Sequence, residues 1–164
     1  MRQKIVSEEI RKHKAKPILK WAGGKTQLLD ELNSRSPKKF NRYIEPFIGG
    51  GAFFFDLAPS ASVIADSNPE LVNLYTCVRD NCQSVIENLR LFKNQENFFY
   101  KIRALNFDDL DSSYAAARTI YLNRTCYNGL YRVNRKGHFN VPFGNYKNPA
   151  ICQTDALVAA SRVL

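Results

Sequence analysis

The chain has 164 residues, of which 45% are hydrophobic and 12% aromatic, a composition that favours a packed domain and argues against disorder. Lys and Arg outnumber Asp and Glu by 24 to 15, and the net charge of +9 favours a polyanionic partner. No apolar run approaches the roughly 20 residues of a membrane span. The four cysteines have neither Cys-x-x-Cys spacing nor matching histidines. We therefore expect a soluble, cytoplasmic protein without a metal site or a signal peptide.

The first candidate ligand-binding stretch lies at residues 17–26. It follows a charged segment, residues 1–16, for which we expect frayed or loosely helical structure. Its Gly-Gly-Lys-Thr sequence is similar to the end of a phosphate loop, but that motif needs a glycine where Leu19 stands. Trp21 is either a core residue or an aromatic wall over a flat heterocycle. In the second case Lys25 would lie near a carboxylate or phosphate.

The stretch from Tyr43 to Leu57 predicts a strand, a glycine-rich turn and a helix. A short apolar run ends at Glu45 and Pro46, three glycines follow at positions 49–51, and a second apolar stretch begins. Glycines let the backbone approach a ligand closely, and the free N–H groups of a helix start suit a nucleotide-like or other polar ligand. A turn that merely packs is about as consistent with this pattern, because Phe54 stands where the dinucleotide fingerprint needs a third glycine.

A second strand and a capped helix are predicted immediately downstream. Residues 63–65 form a short apolar run that we expect to be a buried strand ending at Asp66. Asn68 is a typical N-cap, Pro69 fits the first helical position, and Glu70 suits the first turn. An acidic residue at the end of the second strand suits hydrogen bonding to ribose hydroxyls, although a simple turn residue is an equal alternative for Asp66.

The rest of the chain predicts a helical insertion and a hairpin. Residues 83–123 have helical periodicity throughout, enough for three helices, and no strand interrupts them. Residues 130–133 and 138–141 flank a four-residue connection that ends in glycine, which favours a β-hairpin. A last helix is expected to begin near residue 156.

Residues 118–147 form a basic segment without a single Asp or Glu. Arginines can contact phosphate or guanine, asparagines can read adenine, and aromatic rings can stack on or wedge between bases. A solvated basic face with its aromatic rings in a small core is the alternative. For the whole segment we favour nucleic-acid binding. The segment contains six basic and six aromatic residues of interest: Arg118, Arg124, Arg132, Arg135, Lys136, Lys147, Tyr121, Tyr127, Tyr131, Phe139, Phe143 and Tyr146.

Four blocks in order give the chain a resemblance to the Dam-type, or D12, class of DNA adenine-N6 methyltransferases, which use S-adenosylmethionine (SAM). The blocks are Lys-Trp-Ala-Gly-Gly-Lys at 20–25, Tyr-Ile-Glu-Pro-Phe-Ile-Gly-Gly-Gly at 43–51, Ile-Ala-Asp-Ser-Asn-Pro-Glu-Leu at 64–71, and Asn-Arg-Thr-Cys-Tyr-Asn-Gly-Leu-Tyr-Arg at 123–132 running on to Phe-Asn-Val-Pro-Phe-Gly at 139–144. Each is modest alone, but four in the right order over residues 17–149 are highly specific.

The resemblance implies a cofactor site and a DNA site. The SAM-binding positions it implies are Trp21, Lys25, Glu45, Phe47, Gly49, Gly51 and Asp66, with Asp66 on the ribose. The DNA-binding positions it implies are Arg124, Tyr127, Asn128, Leu130, Arg132, Asn134, Pro142 and Tyr146. In this scheme Arg132 reads guanine and Tyr127 probes or stacks at the site. Relatives specific for the tetranucleotide GATC suggest a GATC-like target in double-stranded DNA.

The resemblance also implies a Rossmann-like, SAM-dependent α/β methyltransferase domain with an incomplete sheet and an inserted helical recognition domain that carries a β-hairpin. We expect residues 1–70 to begin the SAM domain, residues 71–149 to form the recognition domain, and residues 150–164 to return to the first domain. We expect a monomer that belongs to a DNA-methylation or restriction-modification system.

One part of the family pattern is missing from these 164 residues, namely the catalytic Asp-Pro-Pro-Tyr block. It holds the extruded adenine for attack on the methyl group. We therefore assign no catalytic residue, expect a fragment of an adenine methyltransferase, and expect little turnover from this chain alone. The alternatives are a non-catalytic remnant that binds DNA and SAM and, less favoured, a phosphate-loop nucleotidase.

Overall fold

A computed structural model describes residues 15–164, so the loose structure predicted for residues 1–16 lies almost wholly outside the described residues. This part of the chain contains a mixed α/β arrangement of two strands and seven α-helices. The strands are β1 (Tyr43–Glu45) and β2 (Ser62–Ile64). The helices are α1 (Leu29–Arg35), α2 (Ala52–Leu57), α3 (Pro69–Asp80), α4 (Cys82–Leu91), α5 (Glu96–Ala104), α6 (Ser112–Thr125) and α7 (Thr154–Ser161). Short 3₁₀ turns occupy Lys25–Leu28, Phe107–Asp109 and Tyr127–Gly129.

The two strands form a parallel pair joined by α2, which confirms the predicted strand, turn, helix and second strand. Ile44 pairs with Val63 in the middle of the sheet. The prediction that the second strand is buried is wrong, because Val63 is 48% exposed and no residue of β2 is fully buried. Its partner in β1, Ile44, is 64% exposed. Side chains alternate between the two faces of a sheet. Tyr43, on the opposite face to Ile44, packs its ring against two phenylalanines of α2, so this helix covers one face and leaves the Ile44 face open.

Helix α3 begins at the predicted cap. The Asn68 side chain accepts a hydrogen bond from the Glu70 N–H at 2.9 Å, and Pro69 occupies the first turn. Because proline lacks an N–H, it leaves no donor unsatisfied at this position. The cap fixes the direction in which α3 leaves the carboxyl end of β2.

Three helices, α4 to α6, occupy the region predicted to be helical, and α6 lies at its centre. It packs against α3, α4 and α5. Three consecutive alanines at 115–117 are buried, and small side chains of this kind allow helices to approach closely. Most of α6 is buried, which explains why its sequence lacks a clear polar face.

One hydrophobic cluster extends from Ala15 to Ala160 and includes residues from all three predicted domains. Helix α7 packs against α3 and α4, so the last described element lies on the helical region. The division at residues 70 and 149 stays a prediction. None of the helices within residues 15–164 combines the length and the apolar character needed to span a bilayer.

The predicted hairpin is present only as a bridged loop in the described chain. Val133 and Phe139 form an isolated antiparallel bridge, and the Asn134 N–H donates to the His138 carbonyl at 2.9 Å. The connection turns through Gly137, whose φ is +79°. Residues 132–138 are all exposed, and the bridge does not extend into two strands within the described chain.

Candidate functional site

The glycine turn at the carboxyl end of β1 is shaped by backbone conformations that favour glycine. Gly49 has a φ of +50° and Gly51 a φ of +71°. A Cβ added at Gly49 would lie 2.9 Å from Cδ1 of Trp21, and one added at Gly51 would lie 2.9 Å from Cε2 of Phe55. The Trp21 ring therefore packs directly on the turn, and a side chain at either glycine would collide with an aromatic ring.

A cavity of about 250 Å³ opens above this turn. Its walls come from three separate stretches of sequence: residues 21–25, residues 47–52 and Asp66. Six of the seven residues predicted to bind the cofactor line it, namely Trp21, Lys25, Phe47, Gly49, Gly51 and Asp66.

Glu45, the seventh, lies beside the cavity and is only 6% exposed. Its Oε1 accepts from Lys25 Nζ at 2.8 Å, and its Oε2 accepts from the Tyr43 hydroxyl at 2.6 Å. Lys25 Nζ also lies 3.3 Å from the Phe47 carbonyl. Burial, together with the hydrogen bond to Glu45, raises the pKa of Tyr43 far above its usual value. Glu45 thus holds the Lys25 ammonium beside the cavity. The contact of Tyr43 with Glu45 was not predicted, although a spacing of two residues puts both side chains on the same face of the strand.

Asp66 connects the turn to the cap of α3. Its Oδ2 accepts from the Gly49 N–H at 2.9 Å, and its Oδ1 accepts from the Asn68 N–H at 3.0 Å. Each carboxylate oxygen can accept more than one hydrogen bond, so both retain capacity for a hydroxyl group of a ligand. The Tyr75 hydroxyl holds the same turn by donating to the Gly49 carbonyl at 2.7 Å.

The cavity combines a carboxylate, an ammonium group, glycine backbone and an aromatic ring. These groups suit a ligand that has a flat ring, neighbouring hydroxyls and a carboxylate of its own. SAM has all three features, so the residues present fit the cofactor implied by the sequence.

Most of the predicted DNA-binding residues lie on the surface. Six of the eight are exposed: Tyr127, Asn128, Leu130, Arg132, Asn134 and Pro142. Tyr146 is half-buried, and Lys20 Nζ lies 5.9 Å from the centre of its ring. Arg124 is also half-buried, and its guanidinium donates to the Ile18 carbonyl. Its DNA-binding role stays a prediction, with part of its donor capacity used inside the protein.

The guanidinium of Arg132 is held in a defined orientation by Asn140. Arg132 Nε donates to Asn140 Oδ1 at 2.7 Å, and Nη2 donates to the Asn140 carbonyl at 3.2 Å. Sequence reasoning missed Asn140, because its contact with Arg132 depends on the bridged loop. An arginine oriented in advance loses less conformational freedom when it binds.

The interpretation of Arg118 as part of a basic surface is wrong. Its side chain is 2% exposed, and Nη1 pairs with Glu70 Oε2 at 3.4 Å. It also donates to the carbonyls of Ile102 and Arg103 near the end of α5. The exposed basic groups that remain in the segment are Arg132, Arg135, Lys136 and Lys147.

A larger cleft of about 830 Å³ separates the bridged loop from the end of α5. Tyr100, Arg103, Lys136 and His138 line it, together with Tyr131. The Tyr131 ring lies 5.0 Å from the Trp21 ring, centre to centre. The wall of the glycine-turn cavity therefore touches the basic segment directly.

A glycine-turn cavity at a parallel α/β unit, next to an exposed basic segment, is typical of an enzyme class that brings a nucleoside cofactor to a polyanion. A family model described as D12 class N6 adenine-specific DNA methyltransferase matches residues 21–164, and the chain belongs to this family. The resemblance drawn from the four sequence blocks is thereby confirmed.

Individual relatives are similar over most of the chain. The Type II methyltransferase M1.LlaDCHI of Lactococcus lactis subsp. cremoris is 43% identical over 155 residues, which covers 91% of this chain and 55% of the relative. The Type II methyltransferase M.MjaIII of Methanocaldococcus jannaschii is 41% identical over 170 residues, covering 91% and 59%. A DNA adenine methylase of Haemophilus influenzae is 41% identical over 141 residues, covering 83% and 49%. The chain spans about half the length of these curated relatives.

Proposed function

We propose that this chain supplies the SAM-binding and DNA-recognition parts of a site-specific DNA adenine-N6 methyltransferase, with a GATC-like target. The observation that carries the proposal is the convergence of residues 21–25, residues 47–51 and Asp66 on one cavity, beside an exposed basic segment. A nucleoside cofactor and a polyanionic substrate would meet at this junction.

In the proposed cofactor site, Trp21 forms an aromatic wall and Asp66 accepts hydrogen bonds from ribose hydroxyls. The Lys25 ammonium attracts the carboxylate of SAM, and its ion pair with Glu45 keeps it at the cavity. The glycine turn brings backbone close to the ligand. When bound, SAM supplies an electrophilic methyl group, and the residues of this chain hold and orient it.

In the proposed DNA site, Arg132 forks onto guanine in the major groove. Asn140 orients this arginine, and exposed Arg135 and Lys136 contact phosphates. Tyr127, which is 54% exposed, is available to stack on or wedge between bases. Base reading and phosphate binding are thus assigned to different side chains.

The cofactor assignment is tested by calorimetric titration of the full chain with SAM, using Asp66→Asn and the control Asp155→Asn. Asp155 is exposed in the first turn of α7. A hydrogen bond to a charged group stabilises a complex by about 1.5–3 kcal/mol. We therefore expect SAM to bind roughly ten- to a hundredfold more weakly to Asp66→Asn than to the parent chain. Unchanged affinity in a folded Asp66→Asn protein contradicts the ribose role, and absence of SAM binding in the parent chain contradicts the proposed function.

The DNA assignment is tested by fluorescence anisotropy with a GATC duplex and a scrambled duplex over a range of salt. Lys136→Ala should weaken binding to both duplexes and reduce the salt slope by about 0.9. Arg132→Ala should instead reduce the preference for one sequence by about 1–3 kcal/mol. Lys93→Ala is the control, since Lys93 is exposed but lies outside the segment. A sequence preference that survives Arg132→Ala rules out base reading by Arg132.

A further inference from the structure

Asn123 lies in α6 and connects two segments that are far from each other in sequence. Asn123 is buried, with only 4% of its surface exposed. Its Oδ1 accepts from the Lys20 N–H at 2.9 Å, and its Nδ2 donates to the Lys20 carbonyl at 2.8 Å and to the Gly129 carbonyl at 2.9 Å. Both amide hydrogens and the amide oxygen are therefore used.

The two connected segments belong to different parts of the proposed site. Lys20 immediately precedes Trp21, the aromatic wall of the glycine-turn cavity. Gly129 ends the Tyr127–Gly129 turn, which presents exposed Tyr127 and Asn128. The segments also touch directly, because a Cβ added at Gly129 would lie 2.7 Å from Cδ of Lys20.

The amide of Asn123 satisfies backbone groups that have no place in a helix or strand. Lys20 and Gly129 lie in loop and turn, so their polar groups need partners from elsewhere. Asparagine has a low helix propensity, and its burial in α6 is favourable only when its amide is fully bonded. A residue of this kind fixes the positions of both segments relative to α6.

We propose that Asn123 is a positioning residue that holds the Trp21 wall and the Tyr127–Gly129 turn in one geometry, so that SAM affinity and DNA sequence discrimination depend on the same amide. This inference rests on the proposed function. It goes further in joining the two sites, because loss of the amide lets the cofactor wall and the recognition turn move independently.

The test uses the 164-residue chain and compares the variants Asn123→Ala and Asn123→Asp with the control Thr125→Val. Thr125 is fully buried in the same helix, and its hydroxyl donates only to the Tyr121 carbonyl at 2.7 Å within α6. Asn123→Asp retains an acceptor for the Lys20 N–H but cannot donate to the carbonyls of Lys20 and Gly129. It keeps the experiment informative if Asn123→Ala does not fold.

We expect Asn123→Ala to weaken SAM and to reduce discrimination between GATC and scrambled duplexes, each by about tenfold. In Asn123→Asp the contacts with both the Lys20 and the Gly129 carbonyls are lost and only the contact with the Lys20 N–H remains, so SAM affinity and discrimination should both fall. Thr125→Val should alter thermal stability alone. The proposal is overturned if a folded Asn123 variant keeps both SAM affinity and duplex discrimination within twofold of the parent chain. It is also overturned if Thr125→Val loses as much SAM affinity and discrimination as the Asn123 variants.

A ligand-free measurement separates this proposal from the proposed function. Trp21 is the only tryptophan in the chain, so its emission and its quenching by acrylamide report on the position of the wall. Asn123→Ala should make Trp21 more accessible to acrylamide, and Thr125→Val should not. If the parent chain binds neither SAM nor DNA, the proposed function fails, and the quenching result alone decides whether Asn123 positions Trp21.

Discussion

Replacing Gly49 by alanine should displace Trp21 and destabilise the glycine turn. Gly49 has a φ of +50°, a conformation unfavourable for a residue with a side chain. The added methyl group would lie 2.9 Å from Cδ1 and 3.2 Å from Nε1 of Trp21. The indole ring is rigid and packs between this turn and Tyr131, so it cannot yield by rotating a terminal group.

Two contributions to the loss of stability can be separated by a matched control. The backbone strain of alanine in the left-handed region is about 1–2 kcal/mol. Gly137→Ala has this strain alone, because Gly137 has a φ of +79° and an added Cβ meets no atom within 4 Å. Overpacking against Trp21 should add about 1–3 kcal/mol in Gly49→Ala.

The free energy of unfolding of both variants is measured by urea denaturation, and Trp21 emission is recorded in the folded state. We expect Gly49→Ala to be the less stable variant, to shift the emission of Trp21, and to bind SAM more weakly. Gly137→Ala should leave emission and SAM binding unchanged. Equal stability of the two variants with unchanged emission would refute the close packing of Trp21 on the turn.

Two further predictions concern buried polar groups. Arg118→Leu should lower the free energy of unfolding by about 3–5 kcal/mol, because it leaves the Glu70 carboxylate buried without its counter-charge. The control Arg79→Leu breaks an exposed pair and should change stability by about 1 kcal/mol or less, and similar losses in urea denaturation would contradict the distinction. Burial raises the pKa of Tyr121 and Tyr131 from 10 to about 12, so the folded chain keeps protons that the unfolded chain releases. The contribution of these two tyrosines to the free energy of unfolding should be fully present below pH 10 and be lost as the pH rises towards 12. A Tyr131→Phe variant should therefore lose less stability over this pH range than the parent chain.

The elements that were predicted correctly are encoded by neighbouring residues. The glycines at 49–51 interrupt two apolar runs, and this pattern specified the turn between β1 and α2. Asn68, Pro69 and Glu70 form a helix start that needs no distant contact to be recognised. The helical region from residue 83 was visible because its apolar residues recur with helical spacing.

The errors concern contacts between distant residues. Arg118 looked like a surface cation, but its partner Glu70 lies 48 residues earlier and meets it only when α3 packs on α6. Val63 looked like a core residue, but its exposure depends on how many layers cover the sheet. The loop around Gly137 has the pattern of a hairpin, and within the described chain it forms one antiparallel bridge, between Val133 and Phe139, without extended strands.

Most of the residues predicted to bind the cofactor converge on one cavity, although Trp21 lies in a loop and Lys25 begins a short 3₁₀ turn. This convergence depends on anchors that a motif does not reveal. On one side of Trp21, the Asn123 amide holds the backbone of Lys20. On the other side, Lys25 pairs with the buried carboxylate of Glu45 at the end of β1. A loop fixed at both ends within five residues has little freedom left, so its aromatic ring can serve as a rigid wall. Since one anchor belongs to the sheet and the other to the helix that leads into the basic segment, the cavity is defined only when both parts of the chain are folded against each other.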